Sequence, residues 1–149
     1  MSILVFGSLN MDLVVQTPQL PNAGETCIGR NFFTTPGGKG ANQAVAAARL
    51  GVETQMVGCV GGDRFGEELR SGLRESGARV ENVRVETDVA SGIAVVIVGD
   101  RGENQILVVP GANDRVGLPD VERALPLLAE ATLVLLQLEV PLPAIQATA

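Results

Sequence analysis

The chain has 149 residues, 46% of them hydrophobic, and a formal net charge of −6, which suits one domain with a sizeable core and disfavours a broad nucleic-acid surface. It contains no histidine, which excludes Ser-His-Asp and Cys-His catalysis and removes the commonest zinc ligand. No apolar run reaches the ~18 residues of a membrane helix and the N-terminus lacks the pattern of a signal peptide, so we expect a cytoplasmic protein without a membrane contact.

Predicted strands and helices alternate along the first half of the chain. Apolar runs bounded by glycine predict buried strands, whereas a glycine-rich loop followed by an alanine-rich stretch predicts a helix with a small-residue face. In chain order we expect a strand at 3–6, short strands at 13–16 and 26–35, a helix at 41–50, a strand at 54–60 and a helix at 64–76.

The second half contains a predicted hairpin. Two apolar runs, at 93–98 and 104–109, flank the turn sequence DRGE, which is typical of antiparallel strands. Pro119 suits the first turn of a helix that reaches about Ala129, with Pro126 expected as a kink or an early stop. These elements are followed by a predicted buried strand at 132–138 and a helix start near Pro141.

This order of elements predicts an α/β fold. Alternating strands and helices form a parallel sheet flanked by helices, while segments 13–35 and 92–109 interrupt the alternation and are expected to form a separate small antiparallel sheet. We expect residues 1–149 to be the N-terminal part of one domain, because a parallel sheet needs its last crossover completed. The natural unit is therefore expected to continue beyond Ala149.

The strongest single feature is the glycine-rich loop that opens the first helix, within PGGKGANQAVAAARLG at 36–51. Its glycines let the backbone approach a ligand, and a helix N-terminus favours anionic or hydroxyl oxygens. Gly38, Lys39 and Asn42 are the candidate binding residues, because Lys39 is the one lysine of the chain and Asn42 can both donate and accept. Neither a P-loop nor a dinucleotide fingerprint fits, since no Ser or Thr follows Lys39 and Gln43 replaces the last glycine of GxGxxG. An ordinary helix start is an equally good interpretation of the loop alone.

Polar residues also follow two of the predicted buried strands. Asn10 and Asp12 come just after the first strand, and Glu139 comes just after the strand at 132–138. Ligands of open α/β sheets bind beyond the carboxyl ends of strands, and residues two apart in an extended segment point the same way. An amide and carboxylates at this edge suit a ligand with several hydroxyl groups. The alternatives are an Asx turn at Asn10 and Asp12 and a solvent-facing side chain at Glu139.

With these motifs the chain resembles the ribokinase-like (PfkB) family of carbohydrate kinases over essentially its whole length. The resemblance is carried by the stretches NMD, GETCIG, GGKGANQA, GENQILVVPGAN and LQLEVP. It implies that the sugar is bound by Asn10, Asp12, Gly38, Lys39, Asn42 and Glu139. It also implies that segments 13–35 and 92–109 form a β-sheet lid that closes over the sugar and forms a homodimer contact.

The resemblance further implies ATP-dependent phosphorylation of D-ribose at its 5-hydroxyl, with Mg²⁺ and a monovalent cation, K⁺, as cofactors. The catalytic base of the family is an Asp in a GAGD-like motif, which does not occur in this chain and is expected beyond Ala149. Two alternatives stay open: a kinase of another sugar or of a nucleoside, and a catalytically inactive sugar-binding or dimerisation module. We expect weak ribose binding at most, and no kinase activity, for the isolated chain.

Overall fold

The computed structural model describes all 149 residues and contains two four-stranded sheets flanked by helices. The elements are β1 (Ser2–Phe6), β2 (Asn10–Thr17), β3 (Asn31–Gly37), α1 (Lys39–Arg49), β4 (Glu53–Gly61), α2 (Arg64–Glu75), β5 (Arg79–Glu86), β6 (Gly92–Gly99), β7 (Asn104–Val109), a 3₁₀ turn (Gly111–Arg115), α3 (Leu118–Glu130), β8 (Leu133–Leu136) and α4 (Leu142–Thr148). None of the four α-helices combines the length and the hydropathy of a transmembrane span.

The first sheet is wholly parallel, with strand order β5-β4-β1-β8. Successive residues of β1 point to opposite faces of the sheet, so Ile3 and Val5 join a core with α1 and α2, whereas Leu4 and Phe6 join a second core with α3 and α4. Helices therefore cover both faces, as the alternation of strands and helices predicts. The α/β prediction is confirmed.

The second sheet has strand order β3-β2-β6-β7 and is mixed. Its outer pairs, β2 with β3 and β6 with β7, are antiparallel as expected, but the central pair of β2 with β6 is parallel. The reason lies in the connections, because β2 follows β1 and β6 follows β5, and both parallel strands end at the same edge of the first sheet. The two strands that leave this edge therefore run in the same direction.

Helix α1 packs closely on the first sheet through small residues. Ala41, Ala44 and Ala47 are buried, and the backbone N–H of Ala41 donates to the carbonyl of Ser8 at 3.0 Å. A Cβ at Gly40 would lie 2.7 Å from the backbone nitrogen of Ser8, so this approach requires glycine there. The N-terminus of α1 is thus held against the connection between β1 and β2.

Several elements differ from the sequence-based expectation. Strand β2 begins at Asn10 rather than at residue 13, β3 begins at Asn31 rather than at residue 26, and β8 is shorter than expected and only partly buried. Strand β5 is not predicted, because its sequence RVENVRVE is rich in charged residues and a β-bulge breaks its alternation, which leaves the buried Val80 and Val83 three residues apart. Pro126 lies inside α3 without ending it. The side chain of Pro126 faces solvent, and the helix continues to Glu130.

Candidate functional site

The candidate site forms where the two sheets meet. The connection Gly7–Leu9 joins the carboxyl end of β1 to the start of β2, so Asn10 and Asp12 lie at the beginning of the second sheet rather than in a loop. They are two residues apart in a strand and share one face, as predicted. Asn10 is 5% exposed, and the carboxylate of Asp12 lies so close to Gly37 that a Cβ there would be 2.5 Å from Oδ2.

The glycine-rich loop covers the start of β2. Gly38 is the N-cap of α1 with φ 92°, a left-handed conformation that favours glycine. A Cβ at Gly38 would also lie 2.7 Å from the backbone nitrogen of Asn10 and 2.9 Å from Cα of Leu9. Glycine is therefore required at this position both by the backbone angle and by the close approach of β2.

Glu139 connects the loop to the end of the first sheet. It lies between β8 and α4, and its carboxylate forms an ion pair with the Lys39 side chain. The hydroxyl of Ser8 donates to Oε2 of Glu139 at 2.7 Å, and the backbone N–H of Lys39 donates to the same oxygen at 3.3 Å. The Glu139 side chain is 27% exposed and that of Lys39 is 69% exposed, so the pair stands at the mouth of the site.

The two carboxylates of the site are shifted in opposite directions. Burial raises the pKa of Asp12, and the negative charge of Glu139 raises it further. Burial also acts to raise the pKa of Glu139, but hydrogen bonds from Lys39 and Ser8 outweigh it and hold that pKa below its ordinary value. Because the charge of Glu139 raises the pKa of Asp12, these two residues, 127 positions apart in sequence, act as one acidic centre.

Asn10 and Glu139 line a common cavity of about 390 Å³ together with Val108, Pro110 and Asn113. This volume falls in the range of about 300–1,000 Å³ that is usual for small-molecule sites. The cavity wall offers an amide and a carboxylate, and the apolar side chain of Val108 comes from β7. Such a mixture of polar and apolar groups can bind a small polyhydroxylated molecule.

Asn42 is set apart from the other candidate residues. It lies three residues after Lys39, the first residue of α1. Its side chain is exposed and lines a neighbouring cavity of about 300 Å³ with Thr35 and Arg49. The structure therefore brings together five of the six candidates, namely Asn10, Asp12, Gly38, Lys39 and Glu139.

Two residues of the site are missed by the sequence analysis. Ser8 is fully buried and its hydroxyl bridges Glu139 and the backbone N–H of Gly40, the latter at 3.4 Å. Asn113, in the 3₁₀ turn after β7, is 1% exposed and its amide donates to the side chain of Asn10 at 2.8 Å. The signal for Ser8 was its place within GSLNMD, between the strand and Asn10, whereas Asn113 is far from its partners in sequence.

The largest cavity of the chain lies elsewhere and contains none of the candidate residues. It has a volume of about 710 Å³ and lies between α2 and the second sheet, with Phe65, Val89 and Ile93 among its lining residues. Among its polar lining groups, Asp63 accepts from Ser91 and Gly66, and Arg64 pairs with Glu68 at 2.7 Å. We place the candidate site in the smaller cavity, because two of the candidate residues, Asn10 and Glu139, line it.

The chain forms no group of three His, Cys, Asp or Glu side chains that could hold a metal ion. Asp12 and Glu139 supply two carboxylates, and Glu139 is engaged by Lys39 and Ser8. These residues do not fit a Mg²⁺ site.

Comparisons with known proteins agree with this geometry. Residues 1–148 match the family described as pfkB family carbohydrate kinase. The chain is 44% identical to a ribokinase of Schizosaccharomyces pombe over 97% of its length, and 39% identical to a deoxyribokinase of Salmonella typhimurium over 95%. It covers 48% and 46% of these two relatives, so it spans about half of their length.

Among solved structures, an Arabidopsis thaliana ribokinase complexed with ribose and ATP superimposes with a TM-score of 0.80 at 34% sequence identity. The match covers 98% of this chain and 49% of that one. The shared fold includes both the parallel sheet and the second, mixed sheet. On the family match and the fold together, the chain belongs to the pfkB family of carbohydrate kinases.

Proposed function

We propose that this chain supplies the sugar-binding half of an ATP-dependent ribose kinase. The observation that carries the proposal is one cavity lined by Asn10 and Glu139, with Lys39 paired to Glu139 and with Asp12 within reach of the charge of Glu139. The chain that holds this cavity belongs to a carbohydrate kinase family. The ribokinase of S. pombe and the Arabidopsis ribokinase bound to ribose and ATP, each at least 34% identical, support ribose as the substrate and ATP as the phosphoryl donor.

The side chains of the site complement the hydroxyl groups of a sugar. Asp12 and Glu139 accept hydrogen bonds from hydroxyl protons, while Lys39 and the first turn of α1 donate to hydroxyl oxygens. A carboxylate whose pKa is raised by burial, such as Asp12, lies in a poorly hydrated setting where each hydrogen bond with a ligand is stronger. Binding in this way orients the hydroxyl that accepts the phosphoryl group, and positioning is the main contribution of a protein to phosphoryl transfer.

We propose that the second sheet closes over the sugar as a lid. The face that carries Asp12 also carries Phe33, Ile106 and Val108, as the pairing register of the strands requires. These side chains are 46%, 56% and 48% exposed. Such an apolar face extends beyond the candidate site, and we propose that a second copy of the chain covers it in a homodimer.

The dimer has a direct test in the mass of the protein in solution. Phe33→Asp combined with Ile106→Asp should yield a monomer by light scattering where the unaltered chain yields a dimer. Val85→Asp is a matched control, because Val85 is an apolar residue of β5 that is 41% exposed and lies in the other sheet. A monomeric unaltered chain would contradict the proposed interface.

We propose that the catalytic base and the remaining ATP contacts belong to the part of these kinases that this chain does not span, and that Mg²⁺ and K⁺ act there. The 149-residue chain alone should release no ADP above background when ribose and ATP are supplied. A fusion of this chain to the C-terminal half of the S. pombe relative should gain ribose-dependent ADP release. Robust turnover by the isolated chain would overturn this division of the machinery.

Sugar binding by the chain is tested by nuclear magnetic resonance titration, which detects weak ligands. D-Ribose should shift the backbone resonances of Asp12, Lys39 and Glu139, and Asp12→Asn should weaken binding about tenfold or more, since a hydrogen bond to a charged group is lost. Asp88→Asn is the control, because Asp88 is exposed and lies outside the cavity. A titration in which fructose or adenosine binds more tightly than ribose would reassign the substrate.

Deoxyribose is the second candidate substrate, favoured by the 39% identity to the Salmonella deoxyribokinase. The same titration with 2-deoxy-D-ribose separates the two, since loss of one hydroxyl leaves polar groups of a ribose site unpaired. We expect ribose to bind more tightly. Equal affinities would favour a kinase that accepts both pentoses.

A further inference from the structure

The amide of Asn113 has only one possible orientation. Its Oδ1 accepts from the backbone N–H of Leu9 at 2.9 Å, and its Nδ2 donates to the backbone carbonyls of Leu9 and Pro110, each at 3.0 Å. Backbone groups cannot exchange donor for acceptor, so exchanging the oxygen and nitrogen of this amide would break all three hydrogen bonds. Asn113 is 1% exposed, and no solvent is available to replace them.

The fixed orientation of the Asn113 amide determines the orientation of the Asn10 side-chain amide. Nδ2 of Asn113 also lies 2.8 Å from Oδ1 of Asn10, so its two protons are shared among three acceptor oxygens. The Asn10 amide must therefore direct its oxygen to Asn113 and its NH₂ group away from it. That NH₂ group bonds to no protein atom and is not among the buried unpaired atoms, so it reaches the cavity that Asn10 lines.

We propose that Asn113 is a positioning residue that makes Asn10 an obligate hydrogen-bond donor toward the ligand. The inference rests on the proposed function in one respect, that the ligand is a sugar. Asn113 acts on the ligand by orienting Asn10 and is not itself a catalytic residue.

The packing of Gly92 gives independent support. At the start of β6, a Cβ on Gly92 would lie 2.2 Å from Nδ2 of Asn113 and 2.3 Å from Oδ1 of Asn10. The φ angle of Gly92 is not left-handed, so its backbone conformation does not demand glycine. The absence of a side chain is required by the contact between the two amides, and also by the backbone carbonyl of Pro110, which would lie 2.7 Å from the same Cβ.

A fixed donor at Asn10 has a consequence for selectivity. Asp12 lies two residues along β2 on the same face and can only accept while it is ionised. A hydroxyl group can satisfy both residues at once, because it accepts from Asn10 and donates to Asp12. A ligand without that hydroxyl leaves a buried donor and a carboxylate unpaired, whereas an amide free to rotate would adapt.

The orientation can be tested without any sugar. In the ligand-free chain, the side-chain amide protons of Asn113 should exchange with solvent about tenfold or more slowly than those of Asn10, because they are bonded and buried. Faster exchange at Asn113 than at Asn10 would overturn the inference. An unaltered chain that binds no pentose would count against the proposed function, while this exchange measurement would still decide the orientation.

Asn10→Asp then separates the two possible orientations by ribose affinity. The carboxylate keeps an acceptor for Asn113 but replaces the donor that faces the cavity, so ribose affinity should fall about tenfold or more. If the Asn10 oxygen faced the cavity instead, affinity would persist, and that result would overturn the proposal. The melting temperature is expected to fall in both cases, because the new charge is buried near Asp12. Asn104→Asp, at an exposed position of β7, controls for the added charge.

A double-mutant cycle tests whether Asn113 acts through Asn10. Asn113→Ala should weaken ribose binding in the unaltered chain but not in the Asn10→Ala background, because the residue that it orients is then missing. A purely structural role would weaken binding equally in both backgrounds and would overturn the inference. If Asn113→Ala fails to fold, Gly92→Ala replaces it in the cycle, since the added methyl would meet both amides as well as the carbonyl of Pro110.

Discussion

Replacing Glu139 by glutamine tests whether the site has a charged centre. The substitution keeps the size of the side chain and removes its charge. Ser8 is fully buried and its hydroxyl donates to Oε2 at 2.7 Å, and a hydrogen bond to a charged group contributes about 1.5–3 kcal/mol. The ion pair adds at most about 1 kcal/mol, because the Lys39 side chain is 69% exposed. Since glutamine keeps one oxygen that can accept from Ser8, we expect the free energy of unfolding to fall by about 1–2 kcal/mol at neutral pH.

The pH dependence of stability makes the test more specific. The folded-state pKa of Glu139 lies below its usual value of 4.5, because hydrogen bonds from Lys39 and Ser8 outweigh burial. Its contribution to stability is therefore complete above that usual value and is lost as the pH falls through the lower, folded-state pKa. Asp12 behaves in the opposite way, since burial and the charge of Glu139 raise its pKa above 3.8. It costs stability at neutral pH, and the cost disappears as the pH falls through the raised pKa.

Both effects change together in Glu139→Gln. The loss of stability at acidic pH that is due to protonation of Glu139 should disappear. The pKa of Asp12 should fall, because the negative charge of Glu139 is gone. Urea unfolding from neutral to acidic pH measures the first effect, and the carboxyl carbon resonance of Asp12 measures the second. Glu122→Gln is the matched control, because Glu122 is exposed on α3. Equal unfolding free energies and an unchanged titration of Asp12 would refute the reasoning.

Three further substitutions or reagents probe other parts of the structure. Gly38→Ala should abolish sugar binding and destabilise more than Gly24→Ala, because both glycines have positive φ but a Cβ clashes with backbone only at Gly38; equal melting temperatures would argue against the close approach. Asp120→Ala should lower the free energy of unfolding by about 3 kcal/mol, since Asp120 is 1% exposed and pairs with Arg84 at 2.8 Å; chemical denaturation gives this value, and a loss near zero would contradict it. Cys59 should resist alkylation until the chain unfolds, because burial raises its pKa to about 11; rapid labelling of the native chain, detected by mass spectrometry, would be inconsistent with that.

Local sequence patterns predict those helices and strands that bury one whole face or are buried on both faces. The apolar run of β1 and the alanine face of α1 identify their structures because burial on the first sheet requires those residues. Strand β5 is not predicted from the sequence because it has neither a continuous apolar run nor a regular alternation, since a β-bulge separates its two buried valines by three residues. The parallel pairing of β2 with β6 also escapes, since it depends on where two separate crossovers leave the first sheet.

Only some residues of the candidate site can be located from the sequence. Asn10, Asp12 and Glu139 can be placed from the sequence, because each follows a recognisable strand and the carboxyl ends of parallel strands meet at one edge. Asn113 cannot, since its hydrogen bonds with Leu9 and Asn10 join positions more than 100 residues apart. Its turn sequence gives no hint that the side chain points inward. Supporting residues of this kind are determined by tertiary packing rather than by local pattern.

The short connection Gly7–Leu9 has a mechanical consequence. Because these residues alone separate β1 from β2, any tilt of the second sheet must pivot beside Asn10 and carry Asp12 with it. Glu139 follows the last strand of the first sheet, so a molecule bound by both Asp12 and Glu139 would hold the two sheets in a fixed relative orientation. A bound ligand would then restrict the tilt of the second sheet. Without it, the displacement on tilting would be largest at the end of the second sheet farthest from Asn10.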